Sequence, residues 1–202
     1  MRKTLSFQFM PVVAAGIAMV CLNPQTVRAA GANLAVVATP SSSYTSGDTS
    51  VTALNDGHTP RRSRDRSDGS YGNWNRTGTE WVQYEWSRPI STNQIDVYWW
   101  DDRQGVRLPE ACRLLYWKDG KFVPVENARG LGVEADTFNT TTFEEVMTEK
   151  LRLEIDSDGE YSTGILEWKV YDSGKSPAFP PSVEAGVDRV VMLGGKTYLN
   201  GS

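Results

Sequence analysis

Trp81-Val82-Gln83-Tyr84-Glu85-Trp86 places Val82, Tyr84 and Trp86 on one side of an extended chain and Gln83 and Glu85 on the other. Strict alternation of this kind is the mark of a strand with one buried face. The same pattern returns at Ile95, Val97 and Trp99 against Asp96 and Tyr98, and at Leu151, Leu153 and Ile155 against Lys150, Arg152 and Glu154. Leu114 to Trp117 and Lys121 to Val125 flank Asp119-Gly120, a dipeptide suited to the positive backbone angles of a tight hairpin. A last strand is expected from about Ile165 to Tyr171. Short strands, frequent turn residues and no sustained helical period predict an all-β, antiparallel sandwich over residues 31–173.

Working outward, the amino end reads as a signal peptide over residues 1–30. Arg2 and Lys3 precede an apolar run from Met10 to Leu22, and Val27-Arg28-Ala29 offers small residues for cleavage. Pro11 and Gly16 interrupt the run, which is short for a bilayer span of about 20 residues, so no membrane span is expected in the mature chain. Val20 before Cys21 argues against lipid attachment there. The expected location is secreted, periplasmic or cell-surface. With the leader removed only Cys112 remains, so stability must come from the core and not from an internal disulfide. A net charge of −4 disfavours non-specific nucleic-acid binding. Arg61, Arg62, Arg64 and Arg66, interleaved with Asp65 and Asp68, read as a solvated loop whose charges pair among themselves.

At the carboxyl end, Pro177, Pro180 and Pro181 mark a linker over 174–181. Residues 182–202 follow, with Ala185-Gly186-Val187-Asp188 and Leu199-Asn200-Gly201. This stretch resembles the opening strands of an immunoglobulin-like domain of the polycystic-kidney-disease type. The resemblance implies a partial strand pair and downstream domains of a longer protein as partners.

Five of the seven tryptophans, Trp81, Trp86, Trp99, Trp100 and Trp117, fall within the strand-rich region, and Tyr98-Trp99-Trp100-Asp101-Asp102 ends one strand with rings followed by acids. Rings give a large apolar face with little rotamer freedom, acids accept from hydroxyls, and a guanidinium donates in a planar fork. Trp100, Asp101, Asp102, Arg103 and Arg107 are therefore carbohydrate-binding candidates, with Trp74 as a second platform between Asn73 and Asn75. The competing account places these tryptophans in the core.

The ordered series Asn33-Leu34-Ala35, Ala53-Leu54-Asn55-Asp56-Gly57, Glu80-Trp81-Val82-Gln83-Tyr84, Ile95-Asp96-Val97-Tyr98-Trp99, Leu115-Tyr116-Trp117-Lys118-Asp119-Gly120, Lys150-Leu151-Arg152-Leu153 and Glu167-Trp168-Lys169-Val170-Tyr171 spans nearly all of Ala32 to Asp172. It resembles the galactose-binding-like, or coagulation factor 5/8 type C (discoidin), domain found beside many bacterial glycoside hydrolases. The resemblance implies an eight-stranded jelly-roll sandwich that binds carbohydrate through end loops and holds one structural Ca2+. By that likeness Asp56 and Glu167 supply carboxylates, with backbone carbonyls around Ala53 and His58; calcium favours several hard oxygen ligands. Asn55-Asp56-Gly57 is equally suited to a plain turn, and that alternative stays open.

Catalytic groups are scarce. His58 is the one histidine and sits in a turn, which leaves a nucleophile–histidine–acid arrangement without a base. One histidine and one cysteine in the mature chain cannot build the usual zinc sites. Asp101 and Asp102 are adjacent and on a strand would point to opposite faces, so they could not flank a glycosidic bond. The expectation is a non-catalytic module that targets an attached enzyme or the cell surface to glycans. The alternative is an interaction or spacer domain without sugar binding, and a small glycosidase is the third reading. Exposure of Trp100 and Arg107 around a concave polar site separates the first from the second. Asn75 and Asn139 also head Asn-x-Thr sequons.

Overall fold

The computed structural model describes residues 31–179. The expected leader, the end of the linker and the expected immunoglobulin-like strand pair lie outside the described residues. Among the described residues there are seven strands: β1 (Thr39–Ser42), β2 (Tyr71–Gly72), β3 (Thr79–Trp99), β4 (Ala111–Lys118), β5 (Lys121–Pro124), β6 (Phe138–Asp156) and β7 (Gly164–Asp172). Helical structure among the described residues is limited to two short 3-10 turns, Leu34–Val37 and Val51–Leu54. No helix among the described residues is long and apolar enough to cross a membrane.

All strand pairs are antiparallel. The sandwich arises because β3 and β6 each pass through both layers. They pair from Thr79 opposite Asp156 to Tyr98 opposite Phe138, with register breaks between Glu85 and Ile90 and between Thr92 and Gln94. Pro89, which has no N–H to give to a ladder, lies in the first break. Before it, β3 pairs with β1 and β6 pairs with β4, which in turn pairs with β5; beyond it, β3 pairs with β7, which pairs with β2. Two expected strands are thus one bent strand.

The inward rows are those the alternation predicts. Val82, Tyr84, Trp86, Ile95, Val97, Trp99, Leu151, Leu153 and Ile155 are all buried in one core with Trp168 and Val170 of β7. Tyr84 stacks on Trp168 at 4.3 Å between ring centroids and donates its hydroxyl to the Leu54 and Trp168 carbonyls. Trp86 and Trp99 close their indole N–H groups on the carbonyls of Leu34 and Gly132. The hairpin after β4 turns at Asp119 (φ 50°) and Gly120 (φ 81°), as the dipeptide requires. Cys112 is buried and free, and burial pushes its thiol up to about 11.

The expected linker begins docked on the sandwich. Glu145 of β6 accepts from Lys175 Nζ (2.7 Å), Ser91 Oγ and Ser173 Oγ (3.0 Å), and Phe179 packs against the core. Lys175, then Ser91 and Ser173, hold the Glu145 carboxyl down at about 2, against 4.5 for a free glutamate. A depressed folded value contributes stability above the unfolded value and loses it as pH falls from 4.5 towards 2. Residues 173–176 are therefore expected to gain hydrogen-exchange rate below pH 4.5 relative to β7. Glu145→Gln should remove that acid step, and an identical acid profile in the variant would exclude it.

Candidate functional site

Loops after β1, before β2, between β2 and β3, and after β3 converge at one end of the sandwich around an open cleft of about 500 Å³. Its lining includes Tyr44, Asp48, Arg66, Trp74, Asn75, Trp100, Asp102, Gln104 and Gly105. Two of the six carbohydrate-binding candidates thus join Tyr44 as its aromatic parts, but their roles are the reverse of the sequence ordering. Trp100 is 3 % exposed, whereas Trp74 is 56 % exposed.

Trp100 is a structural ring. Its benzene edge lies where a Cβ on Gly72 or Gly164 would stand, 2.6 Å away in each case, and Arg66 covers its other surroundings at 4.8 Å from the ring centroid. With Tyr98, Val106 and Leu166 it forms a second small core, beside Phe138, on the outer face of β3 and β7. The expectation of Trp100 as an exposed platform is corrected accordingly: the two glycines give it a slot and the loop 101–106 folds over it. Gly164→Ala would drive a methyl group into Trp100 and the Tyr71 carbonyl. Overpacking of this kind costs about 1–3 kcal/mol, which urea unfolding of the variant should show; an unchanged midpoint would argue against this packing.

Trp74 is positioned by the side chain of its neighbour Asn73 and by Gly105. Asn73 donates its side-chain amide to Thr163 Oγ1 (2.9 Å) and accepts from Thr163 N–H (2.7 Å), fixing the loop to the start of β7. The indole lies on Gly105, whose absent side chain leaves 2.9 Å from a Cβ position to the Trp74 ring.

The acids after Trp100 are committed differently. Asp101 is buried, accepts from Arg103 N–H (2.8 Å) and pairs with Arg107 Nε at 3.3 Å. Arg107 also lies over Tyr161, at 5.4 Å, and neither it nor Asp101 lines the cleft. Arg103 is exposed with φ 61° and is likewise not part of the lining. Asp102 does line it, with Oδ1 accepting from the N–H groups of Gln104 (2.7 Å) and Val106 (3.0 Å). The arginine loop departs from its expected self-pairing, since Arg66 leaves it to pair with Asp48 at 3.0 Å and to cover Trp100. Sequence reasoning missed Tyr44, Asp48, Arg66 and Gln104. The first two sit in a Ser/Thr-rich stretch without periodicity, and only the fold brings them to the cleft.

A second constellation lies beneath the 3-10 turn Val51–Leu54. Glu167 of β7 is fully buried and neither carboxylate oxygen closes a hydrogen bond of ordinary geometry. Burial, then the neighbouring Asp56 charge, pushes its carboxyl up to about 8. Asp56 Oδ1 accepts from His58 N–H (2.9 Å), with His58 Nδ1 at 3.1 Å from the same oxygen. Ala53 is buried in the turn beside them. Two carboxylates in contact, one of them orphaned inside a core, are the donor set a hard cation neutralises, so the residues present fit calcium. Among the described residues no three His, Cys, Asp or Glu side chains gather as a metal cluster, so further ligands would be backbone or water oxygens.

No family model and no curated protein matches the sequence. Solved structures do match in fold. A structure from the Streptococcus pneumoniae β-galactosidase BgaA aligns with TM-score 0.63 and 18 % identity, covering 71 % of this chain and 99 % of that one. The family 32 carbohydrate-binding module of C. perfringens NanJ, solved with galactose, gives 0.55 and 15 %, covering 68 % and 96 %. Chitosan-binding module 1 of a chitosanase/glucanase from Paenibacillus sp. IK-5 gives 0.54 and 14 %, covering 69 % and 98 %. At these identities what is shared is the architecture: the chain has the antiparallel jelly-roll β-sandwich fold of such modules.

Proposed function

We propose that this domain is a non-catalytic carbohydrate-binding module of an exported protein, holding an attached enzyme or the cell at a glycan. One observation carries the reading: Trp74, a large ring left more than half exposed and backed by Gly105, walls an open cleft that also presents Asp102, Gln104, Asn75 and Tyr44. A flat apolar face beside polar groups is what a sugar ring requires, with its C–H face on the indole and its hydroxyls on the amides and acids. The fold's likeness to a module solved with galactose and to a chitosan-binding module supports the same reading. A glycan array probed with the protein tests it: binding to at least one saccharide class is expected, and silence across plant, algal and host glycans would count against it.

The proposal includes one structural Ca2+ held by Asp56 and Glu167 with nearby backbone oxygens around Ala53 and His58. Its support is the uncompensated carboxylate of Glu167. The ion would supply positive charge to a site that otherwise takes up a proton.

The interaction-module reading has its own support on the outer face of the layer β1-β3-β6-β4-β5. There Arg152 lies between Trp81 (4.2 Å) and Phe122 (3.9 Å), and Trp117 meets Phe122 edge-on at 4.9 Å. Binding of glycans abolished by substitution at Trp74 but not at Trp81 would favour the cleft over this face.

A further inference from the structure

Three aromatic rings border the cleft, and two of them already carry a cation. Arg66 covers Trp100 at 4.8 Å and Arg76 covers Tyr44 at 4.9 Å. Trp74 has no such partner among the described residues, although it is the most exposed of the three. The acids divide in the same way. Asp48 is neutralised by Arg66, whose Nη1 lies 3.0 Å from its carboxylate and whose Nη2 donates to its carbonyl. Asp102 has no ion-pair partner among the described residues, and both N–H groups it accepts end on Oδ1, so that Oδ2 carries none of these bonds.

The uncovered ring and the uncompensated acid belong to one small unit. Asp102 Oδ1 binds the N–H groups on either side of Gly105, those of Gln104 and Val106, and Gly105 is the residue on which the Trp74 indole rests. A carboxylate and an uncovered ring lining one cleft supply the two attractions that recognise an ammonium group, one by charge and one by the ring quadrupole. Over residues 31–179 acidic side chains outnumber basic ones, so the wider field has the same sign. Arg76 and Arg103 are exposed cations nearby; neither lines the cleft, and solvent screens both.

Resting on the carbohydrate-binding reading, we infer that the cleft takes saccharides bearing a protonated amine, the ammonium lying between Asp102 and the face of Trp74. A neutral N-acetylated ring of the same shape keeps the stacking and loses both charge terms. A uronate meets the Asp102 charge directly.

The test is calorimetric titration of the full chain with oligomers of glucosamine, of N-acetylglucosamine and of galacturonate, at low and high salt. The glucosamine oligomer is expected to bind about tenfold tighter than its N-acetylated counterpart, with the ratio shrinking as salt rises. In Asp102→Asn the amide oxygen can still accept from Gln104 and Val106 while the charge is gone, and the ratio should fall to about threefold or less. The wild-type ratio stands as a test even if that variant does not fold. Equal or tighter binding of the N-acetylated or the galacturonate oligomer overturns this inference and leaves the carbohydrate-binding reading in place. Absence of binding to all three, together with a silent glycan array, overturns both.

Discussion

Glu167→Gln is expected to stabilise the calcium-free protein and to abolish its response to calcium. The wild-type carboxyl is raised from 4.5 to about 8 by burial and by Asp56. A raised folded value contributes stability that is complete below the unfolded value and is lost as pH climbs through the folded one. In chelator the wild type should therefore weaken steadily from pH 4.5 towards pH 8, and at pH 7 the deficit is about 3 kcal/mol or somewhat less. Glutamine has no proton to lose. Its amide can also donate to Asp56, which as a carboxylate only accepts. In chelator at pH 7 the variant should melt about 3–8 °C above the wild type, given about 1–2 kcal/mol of realised gain. With millimolar calcium the order should narrow or reverse, because the wild type gains binding energy that the variant cannot. The calcium-induced shift in the wild type should itself be larger at pH 8 than at pH 6, since a proton competes for the same oxygens. A wild type that melts at one temperature with calcium and with chelator would remove the ion from the proposal. A variant less stable than wild type in chelator would mean that Glu167 has a partner which the geometry does not show.

Glu167 also illustrates what the sequence makes legible. Its position in Glu167-Trp168-Lys169-Val170-Tyr171 follows from alternation, but alternation alone assigns an acid to the outer row. Its full burial comes from the 3-10 turn Val51–Leu54 and Asp56 closing over that row. The core was readable because its rows are apolar and of period two: Val82-Tyr84-Trp86, Ile95-Val97-Trp99 and Leu151-Leu153-Ile155 are all inward. The first half of β6 was not, because its inward row begins with polar residues, Asn139 and Thr141, ahead of Phe143. Those residues satisfy local backbone groups: Asn139 binds the carbonyls of Glu134 and Thr137, and Thr141 Oγ1 accepts from Leu131 N–H. Asn139 is accordingly no accessible sequon, while Asn75 is exposed on the cleft. The bend at Pro89 is hidden for a related reason, since a proline between two apolar runs reads as a strand end and not as one strand changing layers. At the cleft, the residue types point to Trp74, Trp100 and Asp102, which the fold brings to one lining, but they do not rank the exposure of the three. That ranking depends on Gly72 and Gly164, which are distant in sequence and meet only across the sheet.

Trp74→Ala and Trp100→Ala should therefore fail in opposite ways. Trp100 is buried against two glycines and under Arg66, and deleting a buried ring of this size removes about 3–5 kcal/mol of stability. Its variant should show an early denaturant midpoint, and any loss of binding would follow from a disordered cleft. Trp74 is 56 % exposed and lies against Gly105, so its removal should leave the unfolding midpoint within about 1 kcal/mol of wild type. If a sugar ring covers roughly 80 Å² of the indole, the lost burial is about 2 kcal/mol, or about thirtyfold in affinity. Trp74→Phe, which keeps a smaller face, should fall between. The decisive measurement is affinity and stability on the same samples. Binding lost at Trp74 with the midpoint retained places the saccharide on that wall, because no structural consequence accompanies the loss. Binding retained in Trp74→Ala would instead move the ligand off the cleft, and the outer face around Trp81, Arg152 and Phe122 would be the surface to substitute next.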